Sequence, residues 1–293
     1  MVDVLVLGST AVDHILLVEE FPRWDEVVPV NRFSLEPGGS GANVAYDLAR
    51  LGVKVAFIGK VGGDSWADFC ISSLRDAGVD VSSIVRESSL RTIHVYIIVV
   101  GGKKVVFVPI SSEFALSLTS VDEVNFRLID ESRIVYLGEV FVEVCEEIAR
   151  YSKMNDKLVL YRVTGPYSRL GFRKLKNIIS KCNILLLNSR SWENLSRSGG
   201  GLSEIIGLGV EYVFITKGDR GVEIYSRDKR ISIPSIPTEA IDTTGCGDAF
   251  VAGLIKKLLD GEDIENSARF GVKVASHVAR EIGARRGLDN ITL

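Results

Sequence analysis

Short apolar runs of strand length recur along the chain between stretches of helical periodicity. Residues 2–7, 53–58, 134–137, 158–163, 184–187 and 213–216 are almost uninterruptedly apolar. That is the pattern of strands covered on both faces in a parallel sheet, not the alternation of a half-solvated one. Helix-like segments lie between them, over residues 41–51, 64–77, 142–153, 168–180 and 202–208. Strand and helix in alternation predict a doubly wound α/β layer structure with a mostly parallel sheet. After Thr244 the pattern changes. Val251, Leu254, Ile255 and Leu258 stand at i, i+3, i+4 and i+7, one face of a helix, and a second helix is expected over about residues 264–282.

Two stretches fall outside this alternation. Residues 91–100 and 103–108 are rich in Val and Ile and meet at Gly101-Gly102, the signal of a β-hairpin. Residues 27–35 form another strand candidate, too close behind the first strand to be its parallel neighbour. Both belong to a small β-sheet lid, formed by about residues 26–36 and 91–109, on a single α/β domain spanning residues 1–293. Alternation puts Ile93, Val95, Ile97 and Val99 on one lid face and His94, Tyr96, Ile98 and Val100 on the other. Both faces are largely apolar. One can close over a ligand. The other needs a cover, and a second copy of the chain is the natural one, so a homodimer through the lid is expected, weakened by Ile97→Asp or Val99→Asp.

The 293 residues carry 35 Lys plus Arg against 38 Asp plus Glu, a formal net charge of −3. That balance lacks the basic footprint of a nucleic-acid binder. Apolar residues at 46% and charged residues at 25% suit a folded globular chain and exclude disorder. No apolar run reaches the length of a membrane span, about 20 residues, and no basic-then-apolar leader opens the sequence. Cys70, Cys145, Cys182 and Cys246 are scattered without CxxC spacing. They read as reduced thiols of a cytoplasmic protein, with no zinc site and no disulfide framework. The expected partner is a small molecule, with neither nucleic acid nor membrane.

The strongest chemical signal is Ile241-Asp242-Thr243-Thr244-Gly245-Cys246-Gly247-Asp248-Ala249-Phe250, at the entrance to the amphipathic helix. Gly245 and Gly247 allow a tight turn in which amide N–H groups converge. The helix dipole adds positive potential at the same point, which suits a phosphate. Asp248 stands beside it, in reach of a substrate hydroxyl whose proton it can accept. Taken alone, Asp248 is equally a first-turn acid that complements the dipole. Pro37-Gly38-Gly39-Ser40-Gly41-Ala42-Asn43 enters the first long helix. Its glycines admit a ligand close to the backbone, and Asn43 can both donate to and accept from hydroxyls. Residues 8–13 follow the first strand, where ligands of open α/β sheets bind, and Asp13 is placed to hold a polyol. The segment does not read GxGxxG, so a dinucleotide site has little support.

In this order the motifs resemble the ribokinase-like (PfkB) family of carbohydrate and nucleoside kinases. The early Asp is met by Asp13, the GGxGxN turn by Gly38 to Asn43, and DTxGxGD at every fixed position by Asp242 to Asp248. Gly59-Lys60-Val61-Gly62-Gly63-Asp64 with Gly78-Val79-Asp80 resembles the family's GxVGxDxxG stretch. Thr216-Lys217-Gly218 with Gly221-Val222 resembles its nucleotide segment, and residues 276–284 its late helix ending in Gly-Ala. The resemblance implies a magnesium-dependent transfer of the γ-phosphoryl of ATP to a hydroxymethyl group of a sugar or sugar derivative, by positioning and electrostatics. It implies Asp248 as general base and the amides of Gly245, Cys246 and Gly247 as anion hole. Asp13, Gly39, Ser40, Asn43 and Glu139 would hold the acceptor. Asn188, Thr216, Gly218, Gly221, Asp242 and His277 would face the nucleotide, and some relatives bind a monovalent cation near the position of Asp242. A nucleoside kinase of the same family, and a non-catalytic ligand-binding protein on this scaffold, are the alternatives.

Three positions depart from the family pattern. Asn188 is present, but Ser191 stands where Asn-x-x-Glu has its Glu, and Glu193 lies two residues further on. Arg162 replaces the acid of a Phe-Asp-Pro strand end and offers a cation to an anionic acceptor or to a triphosphate. Cys246 fills a position usually held by Ala and contributes its backbone N–H. His14 reads as packing, His94 as a lid-surface residue, and Arg285-Arg286 as a solvated pair near a helix end.

Overall fold

The computed structural model describes residues 2–288, so residues 1 and 289–293 of the expected domain lie outside the described residues. An eight-stranded sheet forms the centre, in the order Arg230–Ile233, Val222–Tyr225, Tyr212–Thr216, Ile184–Asn188, Leu158–Val163, Ile134–Leu137, Val4–Leu7, Val55–Ile58. From Tyr212–Thr216 to Val55–Ile58 the strands run parallel, and the other two add an antiparallel edge. The uninterrupted apolar runs have their cause here, because neighbouring residues enter different cores. Val4 and Val6 face one cluster, with helices Ser40–Arg50, Cys246–Leu259 and Ile264–Val278. Leu5 and Leu7 face the other, with Val142–Met154, Phe172–Ile179 and Leu202–Gly207. Each fully buried Val or Leu contributes about 1.5–3 kcal/mol of transfer free energy. The helix expected over residues 168–180 is two, Gly165–Ser168 and Phe172–Ile179, parted at Gly171 with φ +79°.

A separate four-stranded sheet makes the lid, in the order Arg32–Gly38, Ala11–Leu17, His94–Val100, Lys103–Phe107. Its hairpin turns through Gly101 (φ +52°) and Gly102 (φ +74°), with Val100 opposite Lys103, as the two-residue glycine loop requires. The lid is wider than the sequence suggested. Ala11–Leu17 is one of its central strands, pairing parallel with His94–Val100 and antiparallel with Arg32–Gly38. Asp13 and His14 hide it, since two polar neighbours break both the alternation and the apolar run. The strand candidate at 27–35 is shifted to Arg32–Gly38, and Val27 is solvent-exposed.

The two lid faces have different fates. Ile15, Ile97 and Val99 form a small core with Leu17, Val95 and Ile282. On the other face His14 stacks on Tyr96, with ring centroids 4.7 Å apart, and bonds His94 at 2.7 Å. Burial lowers the affinity of both imidazoles for a proton. Phe33, Leu35, Tyr96, Val105 and Phe107 are exposed there. Ile97 and Val99 therefore belong to the inner face, and substituting them probes the lid's own core. An intermolecular contact is probed at Tyr96 and Phe107 instead.

Candidate active site

The loops that follow the parallel strands, the Gly-rich turn and the start of Cys246–Leu259 converge at one end of the main sheet. Gly245 enters that helix in the left-handed region, φ +80°. A β-carbon there would fall 2.6 Å from Ala284 Cα, which explains both the glycine and the small residue of the late segment. Asp248 lies in the first helical turn, its own amide donating to Gly245 O at 2.8 Å. Ser40 donates to its Oδ1 at 2.9 Å and Asn43 Nδ2 to its Oδ2 at 2.9 Å. Arg162 pairs with the same carboxylate, with side chains only 18% and 8% exposed, and also donates to Ser40 Oγ at 2.9 Å. The Cys246 thiol is pushed up to about 12, chiefly by burial.

The glycine turn packs into the loop after the first strand. Gly39 has φ +87°, and a β-carbon on it would meet Thr10 Cα at 2.5 Å. Ala42 N donates to Ser9 O at 3.0 Å. Asp13 is buried against Gly38, and burial pushes its carboxyl up to about 7, although Arg285 and Lys104 oppose that shift. Glu139, after Ile134–Leu137, accepts from Ser9 Oγ at 3.1 Å. Asp13, Gly39, Ser40, Asn43 and Glu139 thus share one neighbourhood around the Gly8–Ser9–Thr10 loop and the glycine turn.

On the other side, Asn188 and Thr216 sit opposite each other at the ends of adjacent strands. Asn188 caps helix Ser189–Arg197 by accepting from Ser191 N at 2.8 Å. Gly218 (φ +61°) and Gly221 (φ +83°) shape the turn after Thr216. A β-carbon on Gly221 would run into Ile233 O at 2.0 Å. Asp242 is fully buried, and its carboxylate accepts from Thr244 N at 2.8 Å and Gly283 N at 3.0 Å. It shapes the loop and has no oxygen left exposed for a nucleotide. His277 Nδ1 lies 2.9 Å from Lys273 O, in the last turn of Ile264–Val278.

Several site residues were invisible to sequence reading. Arg285 was expected in solvent with Arg286. Instead Nε donates to Asn43 Oδ1 at 3.0 Å, Nη1 to Ser73 Oγ at 2.9 Å and Nη2 to Gly38 O at 3.1 Å. With Oδ1 so engaged, the Asn43 amide can only aim its NH2 at Asp248. Asp47, one helical turn beyond Asn43, is buried with neither carboxylate oxygen hydrogen-bonded. Burial and then the charge of Asp248 push it well above the carboxylate range. The lid reaches the same place: Thr243 Oγ1 donates to Gly102 O at 3.2 Å, and Gly102 bridges Asp242. Only a pairing of segments 141 residues apart brings these together, and no local signal encodes it.

The residues present fit a nucleotide triphosphate, since the helix Cys246–Leu259 begins here with its positive end and Arg162 lays a guanidinium over the Gly247 backbone. They do not form a cage for Mg2+. Among the described residues no three His, Cys, Asp or Glu side chains converge on a metal-sized point, and Glu193 is paired with Arg190 and Arg197 on an exposed helix face.

Such a centre can take the proton of an alcohol at Asp248 while a phosphoryl group is held at the helix end, which is the work of a phosphotransferase with an alcohol acceptor. The family model described as pfkB family carbohydrate kinase matches residues 1–291. A ribokinase of Bacillus subtilis (strain 168) is 30% identical, over 98% of this chain and 96% of its own length. A nucleoside kinase of Methanothermobacter thermautotrophicus is 27% identical, over 98% of this chain and 93% of its own. Among solved structures, Arabidopsis thaliana ribokinase complexed with ribose and ATP superposes with a TM-score of 0.79 at 22% identity, covering 97% of this chain and 94% of that one. The chain belongs to the pfkB family of carbohydrate kinases. It is an ATP-dependent phosphotransferase acting on a small-molecule alcohol, and the non-catalytic alternative falls.

Proposed function

We propose that this protein transfers the γ-phosphoryl of ATP to a hydroxymethyl group of a sugar or sugar derivative, with Asp248 as general base. One observation carries the reading: Ser40 and Asn43, from the acceptor turn, bond the two oxygens of a carboxylate that stands at the anion-binding helix end. Asp13, Gly39, Ser40, Asn43 and Glu139 hold the acceptor's hydroxyls. The amides of Gly245, Cys246 and Gly247 stabilise charge on the phosphoryl oxygens. Asn188, Thr216, Gly218, Gly221 and His277 flank the nucleotide. Mg2+ arrives on the triphosphate, as suits an ion that keeps phosphate and water ligands.

A sugar is favoured over a nucleoside by the lid. Its inner face carries Ile15, Val95, Ile97 and Val99, while the rings of His14, Phe33 and Tyr96 lie on the other face. The exposed outer face supports a homodimer through the lid. Four free cysteines, three of them buried, support a reducing, cytoplasmic setting.

ATP consumption across a panel of sugars and nucleosides tests the reading. At least one sugar should be phosphorylated faster than any nucleoside. Asp248→Asn should keep the fold and nucleotide binding while kcat drops at least about 10²-fold, the scale of a lost positioned base. Turnover close to wild type in that variant removes Asp248 from its role.

A further inference from the structure

We propose that Arg162 is a catalytic residue of this enzyme: it leaves Asp248 when the triphosphate binds and donates to the phosphoryl group in transfer. The inference rests on Asp248 being the base, as proposed above.

Leu158–Val163 is an inner strand of the main sheet, and Arg162 is one residue from its end. Its Nη1 reaches Asp248 and Ser40, at the junction of base and acceptor turn. A β-carbon on Gly247 would fall 2.5 Å from Nη2, so the rest of the fork lies over the anion-binding turn itself. A helix N-terminus repels a cation. Arg162 is largely removed from water there, and desolvating a charge costs several kcal/mol unless it is compensated. Asp248 is the carboxylate bonded to the arginine, with Glu139 acting on Arg162 only at longer range, and Asp248 also faces the positive helix end. A triphosphate brings the negative charge that this arrangement lacks, and planar guanidinium matches phosphoryl oxygens in a bidentate way.

The alternative target, an anionic group on the acceptor, fits less well. The acceptor neighbourhood already holds the carboxyls of Asp13 and Glu139. The other arginine beside it, Arg285, has its three nitrogens bonded to Asn43, Ser73 and Gly38.

In the step itself the acceptor hydroxyl gives its proton to the Asp248 carboxylate as its oxygen bonds to the γ-phosphorus. The bond from that phosphorus to the β,γ-bridging oxygen breaks, and its electron pair leaves with ADP. Arg162 donates to a non-bridging oxygen of the moving group, where charge is greatest in the transition state. Its exchange also frees a lone pair of Asp248 for the acceptor's proton, so donor binding arms the base.

Arg162→Ala and the longer, uncharged Arg162→Met are measured together, with thermal melting as the folding check. Both should lose at least about 10²-fold in kcat, the scale for one preorganised donor, while the acceptor KM stays within about threefold. Inhibition by ADP with aluminium fluoride and acceptor, a mimic of the transferring phosphoryl, should weaken in parallel with kcat. Added guanidinium ion should raise the turnover of Arg162→Ala and leave the wild type unchanged. A rise in KM confined to carboxylate- or phosphate-bearing acceptors, with kcat kept, overturns the proposal in favour of acceptor recognition. Lost kcat with full affinity for the fluoride mimic and no guanidinium rescue overturns it in favour of a residue that only positions Asp248. If Asp248→Asn is active, the reading of the base fails first. If Asp248→Asn is dead and Arg162→Met turns over normally, this inference alone fails.

Discussion

The eight-stranded sheet and the lid sheet draw on the same β-branched vocabulary, yet they differ in how many faces are covered. Val4–Leu7 has every residue buried, with alternate side chains in two cores. His94–Val100 buries Ile97 and Val99 inward and leaves Tyr96 46% exposed outward. A strand locked on both sides cannot shift without opening two cores. A strand held on one side can tilt, and a lid that admits and releases a ligand needs that freedom. The residues of the proposed site are divided accordingly. Asp248 and Arg162 stand on the doubly covered layer, while Asp13 rides on a lid strand.

The contrast can be broken most sharply by truncating one large side chain in each sheet. Phe57 is fully buried in the main sheet, and Phe57→Ala should cost about 3–5 kcal/mol of stability in denaturant unfolding. Val105→Ala, on the outer lid face, should cost no more than about 0.5 kcal/mol. Similar losses at both positions would mean that the lid's outer face is covered within the chain.

A smaller effect is expected at Asp13, where the lid meets the acceptor. Asp13→Ala should weaken acceptor binding by about 1–3 kcal/mol, because hydroxyls lose a buried partner, with ATP affinity nearly unchanged. The wild-type pH dependence has a definite sign. Burial holds the Asp13 carboxyl up at about 7, and only the ionised form accepts from donors at both oxygens. Acceptor KM should therefore fall as pH rises through 7 and level off above it, whereas Asp13→Asn should give a flat profile. Loss of ATP with retention of the acceptor would show the two subsites reversed.

Shortening the hairpin at Gly101-Gly102 tests closure. The turn touches Asp242 and Thr243, so its loss should admit water and raise ATP hydrolysis relative to acceptor phosphorylation. An unchanged ratio would count against a water-excluding lid. The gentlest probe is Tyr96→Asp on the outer face. Light scattering should show a dimer in the wild type and a weakened one in the variant, with kcat little altered. A monomeric wild type at tens of micromolar would remove the second copy from the lid.

Sequence by itself determined the parallel layers, the hairpin and the glycine turns, because each is written in neighbouring residues. A strand covered on both faces must be apolar at every position, a two-residue hairpin needs positive φ, and an amide cradle needs glycine where Gly245 meets Ala284. Motif order then placed Asp248 and Asn43. Tertiary structure decided what those groups face. Ala11–Leu17 became a lid strand because one of its two partners, His94–Val100, lies far along the chain, with Val12 opposite His94, while Asp13 and His14 blurred its own pattern. Arg285 looked like any charged residue after a helix until the chain end folded back on Asn43, 242 residues earlier. Arg162 read as a cation for an anionic acceptor or a triphosphate, and only the meeting of its strand end with the helix start 86 residues later set it against Asp248. Local periodicity reports how a segment is covered. Which charge stands opposite which depends on where distant strand ends and helix ends converge, and only the folded chain fixes that.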